Sequence, residues 1–218
     1  MATSELDLAI DKTMEALTQP GQMLELDTIN KYGVDMPVFK NAPQNVSDYL
    51  AYFCHQNAEK EFLVDGDIRL TFGETYAAAR TLAGGLVEGY GVQKGDRIGI
   101  AARNSANWIV LDMAITIAGG VSTKLNGWWQ GDELADGIEE VGCSFVFADY
   151  QRAQRLVESK RNHGAELLVF EHDKLPLEGL KVMLEKGGGA ETPMPQIAPE
   201  DNATILFTSG STGRSKGA

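Results

Sequence analysis

From Arg97 onward, short apolar runs alternate with stretches of helical length, and this alternation limits the fold more than any other feature. Arg97 to Ala101 reads as a strand, and Ser105 to Ala118 as a largely apolar helix stopped by Gly119-Gly120. Val121 to Leu125 is the next strand. Asp132 to Val141 follows as a helix with Leu134, Ile138 and Val141 on its inner face and Gly142 after it. The pattern continues with a strand over Ser144 to Ala148, a helix over Tyr150 to Asn162 and a strand over Leu167 to Phe170. A short helix over Pro176 to Glu185 and a last strand over Thr204 to Phe207 complete it, separated by Gly187-Gly188-Gly189 and three prolines that mark a long surface crossing. Strand then helix, repeated, implies an α/β fold with a mostly parallel sheet flanked by helices. Right-handed crossovers make double winding the natural arrangement. Ligands of such sheets collect at the carboxyl ends of the strands, which is where Thr208 begins.

Before this alternation the signals are shorter. Ser4 to Leu17 has the spacing of an amphipathic helix, with Leu6, Ile10, Met14 and Leu17 on one stripe, ended by Gln19-Pro20-Gly21. The rest, to about Pro43, is expected to be irregular and to wrap the surface. We therefore divide the chain into residues 1–45, helix and irregular wrap, and residues 46–218, the α/β part. Ser47 is the expected N-cap of a helix reaching about Gln56. Asp65-Gly66 between two apolar runs signals a hairpin. Thr71 and Glu74 form a capping box that opens a helix carrying Tyr76, Ala79, Ala83, Leu86 and Tyr90.

The strand ending at Phe207 runs into Thr208-Ser209-Gly210-Ser211-Thr212-Gly213-Arg214-Ser215-Lys216-Gly217. Five hydroxyls, three glycines and two cations in ten residues make a poor core and a good anion cradle. Glycines let the backbone curl so that several N–H groups face one phosphate, hydroxyls add donors, and Lys216 adds a point charge. The segment is neither a G-x-x-x-x-G-K-[ST] loop nor a G-x-G-x-x-G turn, because Ser215 precedes Lys216 and Thr208 stands where the first glycine belongs. Composition alone leaves two readings, an anion-binding loop or a flexible polar linker.

T-S-G-S-T-G-R-S-K-G resembles the signature T-S-G-[ST]-T-G-x-P-K-G of the adenylate-forming (AMP-binding) superfamily, which contains acyl-CoA synthetases, peptide-synthetase adenylation domains and firefly-type luciferases. Ser215 replaces the usual proline, which leaves the backbone there less fixed. Other segments match in order. Arg69 to Glu74 is similar to the early L-T-[YF]-x-E-L element, Gly95 to Ile100 to G-D-x-V-x-[IV], and Ala114 to Asn126 to A-x-x-x-A-G-x-x-x-x-P-L-N, with Lys124 where proline is common. Phe147-Ala148-Asp149 resembles a later strand end, and Asp201 to Thr204 the lead into the loop. Asn126-Gly127-Trp128-Trp129 is most like acyl-CoA synthetases acting on hydrophobic acids.

This resemblance implies the N-terminal part of an adenylate-forming enzyme's large domain, ending within the phosphate loop. It further implies a ligase that joins a carboxylic acid, by expectation a fatty acid, to ATP as an acyl-adenylate and transfers it to CoA. ATP, Mg2+ and CoA are the cofactors implied for the full-length enzyme. Thr208, Ser209, Ser211, Thr212 and Lys216 are the implied ligands of the outgoing pyrophosphate, with backbone N–H groups around Gly210 and Gly213. Arg214 is expected to be a solvated rim cation. The superfamily places its adenine, magnesium and ribose sites, its hinge and its adenylation lysine downstream, so these 218 residues alone are expected to be inactive, with no catalytic residue and no metal ligand. Two alternatives stand beside this: adenylation with transfer to a carrier protein or another acceptor, and a non-catalytic α/β interaction module.

Composition sets outer limits. With 31 acidic against 19 basic residues the net charge is −12, which argues against nucleic acid as partner. Local cations still suffice for a nucleotide. Cys54 and Cys143 fit no metal or redox spacing and are read as buried thiols of a reducing compartment. His163, before Gly164, is read as a helix-end cation. No apolar run reaches the length of a membrane span, and the N-terminus lacks a signal-peptide pattern, so a cytoplasmic protein is expected. Of Trp128 and Trp129, one ring is expected in the core and the other at a rim.

Overall fold

The structure, a computed structural model, describes residues 4–31, 33–208 and 215–218, and it divides into two compact units, Met1–Gln44 and Asn45–Ala218. The first opens with α1 (Glu5–Leu17), where the Ser4 hydroxyl accepts from the Asp7 N–H and the Asp7 carboxylate accepts from the Ser4 N–H. The stretch expected to be irregular is instead a hairpin. Strands β1 (Leu26–Lys31) and β2 (Val34–Phe39) pair antiparallel from Leu26↔Phe39 to Lys31↔Val34. Gly33, at φ +78°, supplies the positive dihedral that so short a connection requires, and a Lys40–Glu25 ion pair at 2.7 Å closes the open end.

The second unit begins with α2 (Val46–Gln56), whose cap is Asn45 rather than Ser47; its side chain accepts from the Asp48 N–H at 2.9 Å. Asn45 lies just outside the helix and can carry the extended backbone a cap needs. The hairpin β3 (Glu61–Asp65) and β4 (Ile68–Thr71) turns at Gly66, and Thr71 with Glu74 then caps α3 (Phe72–Gly84). A π-helical turn, Gly85–Gly89, extends α3.

The alternation follows as β5 (Arg97–Ala101), α4 (Ala106–Ile117), β6 (Val121–Lys124), α5 (Gly131–Val141), β7 (Phe145–Asp149), α6 (Tyr150–Ser159) and β8 (Glu166–Phe170). The expected helix over Pro176 to Glu185 breaks into α7 (Pro176–Gly179) and a 3-10 turn, Lys181–Leu184. Then come β9 (Thr204–Thr208) and β10 (Lys216–Gly217). The six strands lie in the order β10-β9-β6-β5-β7-β8, parallel throughout except for β10, which runs antiparallel to β9. The α/β reading with a mostly parallel, helix-flanked sheet therefore holds.

Residue alternation in the central strands divides two cores. Ile98, Ile100 and Phe147 face α3 and α4 with Leu82, Leu86, Leu111 and Ile115, all fully buried. Ala101, Val146 and Ala148 face α5 and α6 with Leu134, Ile138 and Leu156. The triglycine crossing is on the surface yet not loose. A β-carbon on Gly84 would overlap the Gly189 carbonyl, and one on Gly188 (φ +85°) would overlap the Gly84 carbonyl, so the crossing lies backbone to backbone on the end of α3. His163 is no helix-end cation. The helix stops at Ser159 with Lys160 in the left-handed cap (φ 56°), burial lowers the imidazole pKa, and Nδ1 accepts from the Ala165 N–H.

Candidate functional site

Strand β9 leaves the sheet at its carboxyl edge. Alternation along it points Ile205 and Phe207 to the α5 side, where the Phe207 ring meets Trp129 edge-on at 5.1 Å. Thr204, Leu206 and Thr208 point to the other side and are exposed or nearly so. After the segment 209–214 the chain returns as β10, with Lys216 opposite Thr208 and Gly217 opposite Phe207. Leu206 and Ala218 exchange both backbone hydrogen bonds, at 2.8 and 2.9 Å. Gly217 is where the return strand passes the helix: a β-carbon there would come within 2.7 Å of Val141. Two of the seven expected ligands, Thr208 and Lys216, are thus cross-strand partners at the carboxyl edge, both exposed. Ser209, Gly210, Ser211, Thr212 and Gly213, with Arg214, lie outside the described residues. The return strand itself carries no sequence signal, being two residues long and mostly glycine and lysine.

A second feature lies beside it. The chain steps from β5 to β6 on one side and then crosses to β7 on the other, so the winding reverses around β5. At the carboxyl ends of these three strands an open cleft of about 620 Å³ is lined by Arg103, Asn104, Trp108, Trp128, Arg152 and Arg155, among others. That is where doubly wound sheets hold ligands.

The cleft is framed by a buried ion pair. The Asp149 side chain caps α6 by accepting from the Arg152 N–H, and its other oxygen accepts from the Arg103 N–H and the Arg152 guanidinium, each at 3.0 Å. Arg152 Nε then donates to the Gly127 carbonyl at 2.8 Å, and Arg155 donates to the carbonyls of Gly127 and Trp129. Two arginines one helical turn apart thereby tie the loop after β6 to the start of α6. Of the two indoles, Trp129 packs against Phe207 and Trp128 stands 83 % exposed at the cleft, as the core-and-rim reading expects. The residues that sequence reasoning overlooked are Arg103, Asp149, Arg152 and Arg155. Their signal is the strand end Phe147-Ala148-Asp149 followed at once by arginines three residues apart.

Both cysteines are buried. Burial raises the Cys54 thiol and pushes Cys143 up to about 11, so neither is a nucleophile at neutral pH. Among the described residues no group of His, Cys, Asp and Glu is placed to hold a metal ion, and no helix is long and apolar enough to cross a membrane.

Comparison with known proteins adds a family match, two relatives and a fold neighbour. Residues 50–218 match the family described as AMP-binding enzyme. The chain is 32 % identical over 148 residues to 4-coumarate–CoA ligase-like 3 of Oryza sativa subsp. japonica, covering 63 % of this chain and 25 % of that protein. It is also 32 % identical over 151 residues to the nonribosomal peptide synthetase inpB of Emericella nidulans, covering 69 % of this chain and 6 % of that one. The fold is similar to the N-terminal domain of FACL13 from Mycobacterium tuberculosis, with a TM-score of 0.67 at 20 % identity over 79 % of this chain and 43 % of that one. The chain spans about a quarter of the rice ligase and a still smaller share of the peptide synthetase.

Proposed function

The chain belongs to the AMP-binding enzyme family, and on that footing we propose that it is the N-terminal portion of an ATP-dependent acyl-CoA synthetase, with its phosphate loop between β9 and β10. In this reading residues 46–218 form part of the large domain and residues 1–45 an accessory segment. The observation that carries the proposal is the strand–loop–strand hairpin setting Thr208 against Lys216 at the carboxyl edge of a parallel sheet.

The chemistry follows from charge. A carboxylate attacks the α-phosphorus of ATP, the bond to the bridging oxygen breaks, and pyrophosphate leaves with the electron pair. An anion must approach a polyanion, and negative charge grows on the leaving group. Donors fixed around the β- and γ-phosphates lower that barrier because they are in place before the charge develops. By the resemblance, Thr208, Ser209, Ser211 and Thr212 would supply hydroxyls, backbone N–H groups around Gly210 and Gly213 further donors, and Lys216 the cation. The thiol of CoA then attacks the acyl carbon and AMP departs. Mg2+, when bound, would neutralise charge on the phosphates; among the described residues no group of His, Cys, Asp and Glu is placed to hold it.

We take CoA rather than a carrier protein as the proposed acceptor. An exposed indole beside Arg103 suits a nucleotide, whose base stacks and whose phosphates need cations. Likeness to a peptide synthetase keeps the carrier-thiol reading as the second choice. A hydrophobic, fatty-type acid is the proposed substrate and the cytoplasm the proposed compartment. The test is to incubate the full-length enzyme with ATP and Mg2+ across fatty, aromatic and amino acids, with and without CoA. The proposal expects acyl-CoA from a hydrophobic acid; acyl-adenylate that accumulates equally with and without CoA contradicts it.

A further inference from the structure

Helix α4, largely apolar from Ala106 to Ile117, carries one charged residue, Asp112, and that charge is turned toward the sheet. One of its oxygens accepts from the Ser122 hydroxyl at 2.6 Å, and the other meets the Lys124 ammonium at 3.2 Å. The same ammonium stands 5.5 Å from the centre of the Trp108 ring. Asp112 thus grips two alternate residues of β6, both on the face that α4 covers.

Both residues also pair with β9, on either side of the Thr123↔Ile205 pair. Ser122 lies opposite Thr204 and Lys124 opposite Leu206. The Ser122 carbonyl accepts from the Thr204 hydroxyl at 2.9 Å, and the Ser122 N–H donates to the Ala203 carbonyl at 3.0 Å. On its other edge, among the described residues, β9 pairs with the two-residue β10 and with Ala218 just after it. On the α4 side it has little cover, since Leu206 is 52 % exposed and Thr204 and Thr208 are exposed as well. β9 therefore rests on β6 along this edge, and β6, paired with β5 on its other side, is tied to α4 by Asp112.

We infer that Lys124, with Asp112, is a positioning residue for the strand that carries the phosphate loop, a role that rests on the adenylation reading above. Lys124 lies across from Leu206, two residues before Thr208 on the same face of the sheet. A small slide or tilt of β6 at this point moves Thr208, and misplacement of a phosphate donor by a fraction of an ångström weakens binding of the triphosphate. In this reading the loss falls on ATP, whose phosphates Thr208 would contact.

The test is steady-state ATP–pyrophosphate exchange by the full-length enzyme, comparing wild type with Lys124→Met, Asp112→Asn and Lys124→Arg. Methionine keeps the length of the stem and removes the charge. The inference expects the KM for ATP to rise about fivefold in Lys124→Met and Asp112→Asn, with the KM for the acid unchanged and Lys124→Arg close to wild type. A KM for ATP that does not move, or one that rises in step with the KM for the acid while the melting temperature falls, overturns it. Wild-type enzyme with no exchange for any acid overturns the adenylation reading and this inference together. Exchange in all variants at wild-type KM overturns the clamp alone.

Discussion

Loss of Asp149 should destabilise the fold severely. Its side chain is 2 % exposed and that of its partner Arg152 is 8 % exposed. Replacing it by alanine removes three interactions at once: the cap on α6, the acceptor for the Arg103 N–H, and the counter-charge of a buried guanidinium. A lost cap costs about 1 kcal/mol. Breaking a buried pair by deleting one partner costs about 3–5 kcal/mol, because the remaining charge stays in the interior. Arg152 keeps its bond to the Gly127 carbonyl, which softens the loss, so we expect Asp149→Ala to lower stability by about 4 kcal/mol. Against a total of about 5–15 kcal/mol this is severe. Urea titration followed by tryptophan fluorescence should show the midpoint falling by about 1–2 M. Adding Arg152→Met should restore part of the loss, since the stranded charge goes with it. A midpoint within about 0.3 M of wild type for Asp149→Ala would refute the assignment of this pair as the frame of the cleft.

The close approach of Gly84 to Gly189 predicts that Gly84→Ala costs about 1–3 kcal/mol and exposes the crossing near Gly187–Gly189 to protease, whereas Gly21→Ala, with open space around it, does not alter cleavage there. With its pKa pushed up to about 11, Cys143 holds about one thiolate per thousand at pH 8, so disulfide reagents should label it far more slowly in the native chain than in urea; rapid native labelling would contradict its burial. The Asp201 carboxyl is held below its ordinary value, first by the Ala198 N–H and then by Lys94. A depressed folded-state pKa gives stability that is complete above the ordinary value and is lost as pH falls through the folded one. Asp201→Asn should therefore flatten the melting-temperature profile below about pH 4 and leave its shape at pH 6–8 unchanged; identical acid limbs would argue against it.

The parallel sheet was readable from sequence because its signals are redundant. The parallel strands other than the more polar β6 centre on apolar runs, the helices between them are capped or stopped by glycine, and Gly142 takes the left-handed cap that its position suggests (φ 64°). Where one signal stood alone, reading failed. The β1–β2 hairpin lacks an Asn-Gly or Asp-Gly turn, and its apolar residues fall on both faces, so nothing marks it as strand. His163 looks like a helix-end cation only if the helix reaches Asn162, and Lys160 in the left-handed conformation ends it earlier. At the site, the glycine and hydroxyl composition of residues 208–217 fits an anion loop or a polar linker, and the ordered motif matches along the chain favour the first. The pairing of Thr208 with Lys216, the arginines around Gly127 and the reach of Asp112 to Ser122 and Lys124 join residues 8 to 28 positions apart. No local pattern encodes such contacts; they follow from the order of strands in the sheet.

The measurement closest to the central claim is ATP–pyrophosphate exchange by the full-length enzyme carrying Lys216→Ala. A charged hydrogen bond to the leaving diphosphate contributes about 1.5–3 kcal/mol, so kcat/KM for ATP should fall by about one to two decades while the fold, checked by circular dichroism, stays intact. Exchange at the wild-type rate in that variant would contradict the claim that the β9–β10 loop holds the phosphates.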